Sequence, residues 1–242
     1  MTRAGGAVGG TRDGGPGGEN IESGEGVESA ELEKRAAAEA AAALVEPGMT
    51  VGLGTGSTVA YLLPALARRG IDLTCVATSR ATESQASELG LTVVPFAGID
   101  RLDIAIDGAD QVAPDGWLVK GGGGAHVREK VVASAAGRFV VIVSSDKLVE
   151  RVAAPIPVEI LAFGVAATLR CLAGAEMREG APASPDGGLI ADWHGEVGDP
   201  APVAAWLESV PGVVGHGLFP PALVHDVLVA RGREVEHRRL VG

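Results

Sequence analysis

The chain has 242 residues, of which 46% are hydrophobic, 21% charged and only 3% aromatic, with 36 glycines and a formal net charge of −11 at pH 7. That length supports one large core, or a main domain with a smaller companion. The acidic balance and the scarcity of aromatic rings argue against a nucleic-acid surface, which needs a positive field and stacking platforms. A small phosphate is still a feasible ligand, provided the cations converge in one pocket. Cys75 and Cys171 are too few for a disulfide framework or a Cys-based zinc site, and Cys75, set in an apolar run, reads as a small buried hydrophobe. No uncharged apolar stretch reaches the roughly 18 residues of a membrane helix. The N-terminus lacks the apolar segment of a secretory signal. The expected location is the cytoplasm.

Residues 1–29 are rich in Gly, Glu and Ser and hold hardly a large apolar side chain. Such a stretch cannot bury enough surface to offset the entropy of ordering it, and it reads as a disordered extension. Ala, Glu and Leu then dominate Ala30 to Val45 and predict a helix, which Pro47 and Gly48 stop. Lys34, near its start, reads from position alone as a solvated surface lysine. Thr50 to Leu53 has the character of a short strand. It leads into Gly54-Thr55-Gly56-Ser57-Thr58 and a helix over Val59 to Arg69. A glycine loop passing from strand to helix exposes backbone N–H groups and the positive end of the helix dipole, and Thr55, Ser57 and Thr58 add hydroxyls. That arrangement suits a phosphate. The loop lacks both the lysine of a Walker motif and the third glycine of a dinucleotide fingerprint. A tight strand-to-helix turn without a ligand explains it as well.

Further apolar runs at Leu73–Ala77, Leu91–Phe96, Leu102–Ile106, Trp117–Val119 and Phe139–Val143 read as strands. A helix over Glu83–Leu89 and a helical segment around Glu129 separate some of them, and Thr82 and Glu83 read either as a helix cap or as ligand contacts. Strands alternating with helices predict βαβ units and a parallel sheet. The runs end in polar residues: Asp107, Gly108 and Asp110 after one, Lys120 and Gly121-Gly122-Gly123-Gly124 after the next, then Ser144 to Lys147. Open α/β sheets bind ligands at the carboxyl ends of their strands, so two aspartates, two lysines and Glu129 are expected along one edge beside the Gly54–Thr58 loop. Singly, the aspartates also suit turns, Glu129 suits a helix first turn, and Lys147 suits a surface. Their convergence is what points to a reaction centre. The five histidines are dispersed, with no metal-ligand spacing and no Ser-His-Asp arrangement.

Beyond Lys147 the alternation breaks at Ala154–Glu159, which reads as a domain crossing. A helix over Val165–Ala173, strands at Met177–Arg178, Leu189–Trp193 and Val213–Leu218, and a helix over Pro202–Val210 follow. With Val158–Leu161 as a first strand, this is a β-α-β-β-α-β, ferredoxin-like order. Leu223–Ala230 returns to the main sheet, and the arginine-rich end is expected to decorate its surface. The expected fold is therefore α/β. A Rossmann-like parallel-sheet domain (30–152 and 225–242) is joined by a smaller ferredoxin-like α+β domain (153–224).

Five segments occur together and in order: GLGTGST (Gly52–Thr58), IDGAD (Ile106–Asp110), KGGGGAHVREK (Lys120–Lys130), SSDK (Ser144–Lys147) and PIPVE (Pro155–Glu159). In this set the chain, from about Leu32 onward, resembles the type A ribose-5-phosphate isomerase family. The resemblance implies an aldose–ketose isomerase of the non-oxidative pentose phosphate pathway. It would interconvert ribose 5-phosphate and ribulose 5-phosphate through an enediolate, without metal or other cofactor, as a homodimer or dimer of dimers whose smaller domain is a lid or oligomer contact. It implies Glu129 as the base between C1 and C2, Asp107 for ring opening and proton handling, and Lys120 for the developing oxyanion. Asp110 would hold the sugar and orient that lysine, while Ser57, Thr58, Lys34 and Lys147 would bind phosphate or its neighbouring hydroxyls. Gly54, Thr55, Gly56, Gly108, Gly121, Gly122 and Gly123 complete the substrate-binding set. His126 departs from the pattern, which suggests a small or apolar residue there, and it reads as a surface histidine. Readings of other classes are a sugar-phosphate sensor without turnover, and a deaminase or acyl-CoA transferase.

Overall fold

Apolar strands and helices alternate along the first half of the chain, and the computed structural model, which describes residues 21–240, stacks them as a layered α/β unit. The order is α1 (Ile21–Ala42), β1 (Thr50–Leu53), α2 (Ser57–Arg68), β2 (Thr74–Ala77), α3 (Arg80–Glu88), β3 (Thr92–Val93), β4 (Ile104–Asp107), β5 (Gln111–Val112), β6 (Leu118–Val119), α4 (His126–Ala135) and β7 (Phe139–Ser144). It continues with β8 (Ile156–Ile160), α5 (Val165–Cys171), β9 (Ala175–Met177), β10 (Leu189–Trp193), α6 (Pro200–Ser209), β11 (Val213–His216), β12 (Leu218–Phe219), β13 (Asp226–Arg231) and β14 (Glu234–Arg239).

The main sheet runs β14-β13-β7-β4-β1-β2-β3 and is parallel except where β14 pairs antiparallel with β13. Helices on both faces bury its centre, which is why β4 and β7 read as unbroken apolar runs. On one face Ala37, Ala41, Leu62 and Leu66 from α1 and α2 meet Val51, Leu53, Ile104, Ile106 and Ile142. On the other, Val132 and Ala133 of α4 meet Ala105, Val141 and Val143.

The second sheet, β11-β8-β10-β9, is antiparallel throughout. With α5 and α6 it has the ferredoxin-like connection order expected, and Leu172, Leu207 and Trp193 join its core. A third sheet, β12-β6-β5, ties the two together, pairing Leu218 with Val119 and Phe219 with Leu118. The Lys120 N–H donates to the Gly217 carbonyl at 2.9 Å.

Four local expectations change. The extension expected over 1–29 lies outside the described residues up to 20, whereas 21–29 are helical and belong to α1. The strand expected to reach Phe96 stops at Val93, before Pro95, which has no N–H for a ladder, and a 3-10 turn follows. The arginine-rich end is not surface decoration but β14, an edge strand whose charged side chains suit a strand bordering solvent. Val213–Leu218 divides at Gly217, where a side chain would come within 2.1 Å of the Lys120 carbonyl oxygen.

Gly52 in β1 lets α4 approach the sheet. A Cβ there would lie 2.5 Å from Val132 Cγ1 and 3.0 Å from Ala105 Cβ. Gly52→Val is expected to push α4 outward and destabilise the chain by about 1–3 kcal/mol, read as a lower urea midpoint at unchanged slope.

Candidate active site

Three segments deliver one charged group each. Strand β4 ends on Asp107, Lys120 follows β6, and Glu129 sits in the first turn of α4. Lys120 Nζ lies 2.9 Å from Asp107 Oδ2 and 3.2 Å from Glu129 Oε2, and it donates to the Gly108 carbonyl. All three are buried, with 2%, 3% and 4% of Lys120, Asp107 and Glu129 exposed. Burial alone would lower the Lys120 pKa, but Asp107 and Glu129 outweigh it and hold the amine above its ordinary value, so it stays charged.

The two carboxylates are not equivalent. Asp107 Oδ1 accepts from the N–H groups of Thr55 at 3.1 Å and Gly108 at 2.7 Å. Glu129 Oε2 faces the ammonium but makes no aligned hydrogen bond. Burial raises both pKa values, against the pull of Lys120. Glu129 is pushed up to about 8, by burial first and the neighbouring Asp107 charge second. With more donors on Asp107, Glu129 is the more readily protonated of the two carboxylates. A carboxyl group poised near neutrality beside a fixed cation can take a proton from carbon and see the resulting oxyanion neutralised.

Lys120 and Glu129 line a cleft of about 250 Å³, and Lys34, Ser57, Thr58 and Lys147 line it too, whereas Asp107, expected there, is not part of its wall and meets it only through Lys120. Ser57 opens α2 directly after Gly56, whose φ of 123° favours glycine. The N-terminal N–H groups of α2, two hydroxyls and two lysines are the kinds of donor that suit an anion. Glu33, not singled out from the sequence, fixes α1 here. Its carboxylate accepts from Ser145 N at 2.8 Å, Ser145 Oγ at 2.9 Å and Gly232 N at 2.9 Å. Although burial acts the other way, these donors hold its pKa below the ordinary value. Lys34 is the next residue along; it is half-buried and lines the cleft.

Thr55, Gly56, Gly108, Asp110, Gly121, Gly122 and Gly123 also line the cleft, as does Ala109, which the sequence reading passed over. Gly54 does not. It lies behind Asp107, where a Cβ would come within 1.9 Å of the carboxyl group, so its part is to leave room for that side chain. Thr82 and Glu83 also stay out of the cleft: Ser79 caps α3, and Thr82 Oγ1 donates to the Gly54 carbonyl at 2.9 Å. His126, expected on the surface, is fully buried with neither ring nitrogen hydrogen-bonded. Burial and the adjacent Lys130 lower its pKa to about 4, keeping it neutral. It packs under Gly121, where a Cβ would meet His126 Nδ1 at 2.7 Å. Among the described residues, no group of three or more His, Cys, Asp or Glu side chains is arranged to hold a metal ion, and no helix is long and apolar enough to cross a membrane.

Residues 74–234 match the family model of ribose 5-phosphate isomerase A (phosphoriboisomerase A). A ribose-5-phosphate isomerase A of Roseiflexus sp. (strain RS-1) is 46% identical over 207 residues, covering 78% of this chain and 88% of its own. The ribose 5-phosphate isomerase A structure of Methanocaldococcus jannaschii superposes with a TM-score of 0.81 at 32% identity, covering 86% of this chain and 98% of its own. A D-ribose-5-phosphate isomerase in complex with phospho-erythronic acid superposes equally well, with a TM-score of 0.81, 32% identity and the same coverage of 86% and 98%.

Replacing the buried cation exposes the cost of its partners. Lys120→Met is expected to destabilise the fold by about 3–5 kcal/mol, since two buried carboxylates lose their counter-charge. Their folded pKa values would then lie further above unfolded values of about 4. The folded state would bind more protons than the unfolded one, and stability would fall as pH rises through that window. Denaturant titrations at several pH values check both the size and the sign.

Proposed function

Because the chain belongs to the ribose 5-phosphate isomerase A family, we propose that the Lys120 cleft interconverts ribose 5-phosphate and ribulose 5-phosphate, with Glu129 carrying the proton between C1 and C2. The observation that carries this reading is the Lys120–Glu129 pair, with Asp107 on the same ammonium, in a cleft that Lys34, Ser57, Thr58 and Lys147 also line. A phosphorylated sugar can be held by its phosphate at Ser57, Thr58, Lys34 and Lys147 while its carbonyl end meets Lys120. A similar isomerase bound to phospho-erythronic acid supports a ligand with a phosphate and an acidic end.

In this reading the ring opens first, with Asp107 handling the proton between hydroxyl and ring oxygen. Glu129 then removes the proton from C2 of the open aldose. The electron pair moves onto the C1 carbonyl oxygen, giving an enediolate whose charge faces the Lys120 ammonium. Transfer of a proton from the 2-hydroxyl to the 1-oxygen and return of the Glu129 proton to C1 complete the ketose. Asp110, which accepts from Gly122 N at 2.8 Å, holds the loop and the sugar hydroxyls. Lys120 supplies the positive charge at the developing oxyanion, so the proposed reaction runs without metal or other cofactor. The four-stranded unit acts as a lid or oligomer contact in a cytoplasmic homodimer or dimer of dimers, and light scattering on purified protein checks the assembly.

Proton NMR of the purified protein with ribose 5-phosphate in D₂O, after treatment with EDTA, is expected to show ribulose 5-phosphate with deuterium at the exchanging carbon. Absence of conversion by folded protein overturns the activity. Glu129→Gln is expected to lower kcat by about 10²- to 10⁴-fold with a small change in KM. In the wild type, kcat/KM should rise along an acidic limb displaced above the usual carboxylate range, towards the Glu129 value of about 8. A limb near pH 4 would count against Glu129 as the base.

A further inference from the structure

Arg178 follows the last residue of β9, in the small sheet, yet its guanidinium reaches the glycine loop of the cleft. Its Nε donates to Asp192 Oδ2 at 2.8 Å, and its Nη2 donates to Asp192 Oδ1. That fork leaves Nη1, which donates to the Gly121 carbonyl at 2.9 Å and the Gly122 carbonyl at 3.0 Å. Among the described residues, no other side chain of the four-stranded unit hydrogen-bonds residues 121–124.

The loop needs such an outside hold. Gly121 and Gly124 have φ values of 109° and 71°, and a run of four glycines has no side chains to select that path. Its internal bond, Gly124 N to the Gly121 carbonyl at 3.0 Å, is a single turn. Asp110 takes the Gly122 N–H from one side while Arg178 takes two carbonyls from the other. The trans peptide plane then sets the Gly123 N–H opposite the guanidinium, and Gly123 lines the cleft. The loop also fixes the distance between Lys120, immediately before it, and α4, which carries Glu129.

We propose that Arg178, braced by Asp192, is a positioning residue that clamps the Gly121–Gly122 carbonyls and so presents the Gly123 N–H and the Lys120–Glu129 pair to the substrate in register. It does not line the cleft, and the inference rests on that cleft being the isomerase site. The planar fork matters, because a lysine ammonium cannot hold a carboxylate in two parallel bonds and bridge two carbonyls at once.

The test compares wild type with Arg178→Ala, Arg178→Lys and Asp192→Asn, each checked for folding by circular dichroism. With ribose 5-phosphate, Arg178→Ala is expected to lose about 10- to 100-fold in kcat while KM moves little, because positioning fails and the phosphate receptor is intact. Arg178→Lys should recover only part of the loss, and millimolar guanidinium should restore kcat to Arg178→Ala alone. Wild-type kcat in a folded Arg178→Ala variant overturns the proposal, and so does a rise confined to KM. If Arg178→Ala does not fold, Asp192→Asn keeps the guanidinium but removes a charge from its brace, and unchanged kcat there is equally decisive. Hydrogen exchange separates this proposal from the isomerase reading. The 121–124 amides should exchange faster in Arg178→Ala or Asp192→Asn even if wild type converts no substrate, and unchanged exchange overturns the clamp.

Discussion

An ammonium group buried between two carboxylates is expensive to assemble and more expensive to break, because each ion gives up its hydration on entering the protein. Lys120 is held in that state by Asp107, Glu129 and the Gly108 carbonyl. Those partners come from the end of β4, the turn after it and the first turn of α4, so the contact is satisfied only when the sheet and α4 are in their final places. The pairing of β12 with β6 adds a fourth segment, because Gly217 receives the Lys120 N–H. The charge cluster thus depends on nearly every layer of the fold.

Close backbone approach makes the cluster possible. Gly52 admits α4 against the sheet, Gly54 leaves room for the Asp107 carboxyl group, Gly121 sits over His126, and Gly217 passes the Lys120 carbonyl. Each lies where a Cβ would collide, so their value is in the space they leave. Electrostatics follow the same local logic. A chain with net charge −11 still gathers cations locally, because Lys34, Lys120 and Lys147 face one cleft at the N-terminus of α2, a setting suited to an anion. Net charge governs the field at long range, whereas a small ligand responds to the few groups within a few ångströms.

The smaller sheet touches this chemistry through backbone and through one side chain. The three-stranded connection fixes the Lys120 segment, and Arg178 reaches the glycine loop. Neither Gly217 nor Arg178 lines the cleft itself. Both fix the conformation of main chain that has little preference of its own, which is how a lid-sized unit can matter to a site built on another sheet.

Much of this organisation was legible along the chain. The alternation of apolar runs with helical segments announces a parallel sheet, because strands covered on both faces carry no polar alternation. The polar residues ending those runs mark the carboxyl edge, and Asp107, Lys120, Glu129 and the Gly54–Thr58 loop meet there. What the sequence concealed has a common cause. Glu33 meets Ser145 and Gly232, Arg178 meets Gly121 and Asp192, and His126 is enclosed by residues far away in the chain. Their partners are named by packing, and one-dimensional spacing carries no record of it. Local propensity and periodicity determined which segments are strands and where each one turns polar. Only the tertiary structure decided that Glu129 meets the charge of an aspartate 22 positions earlier, because burial and proximity raise its pKa and both arise only on folding.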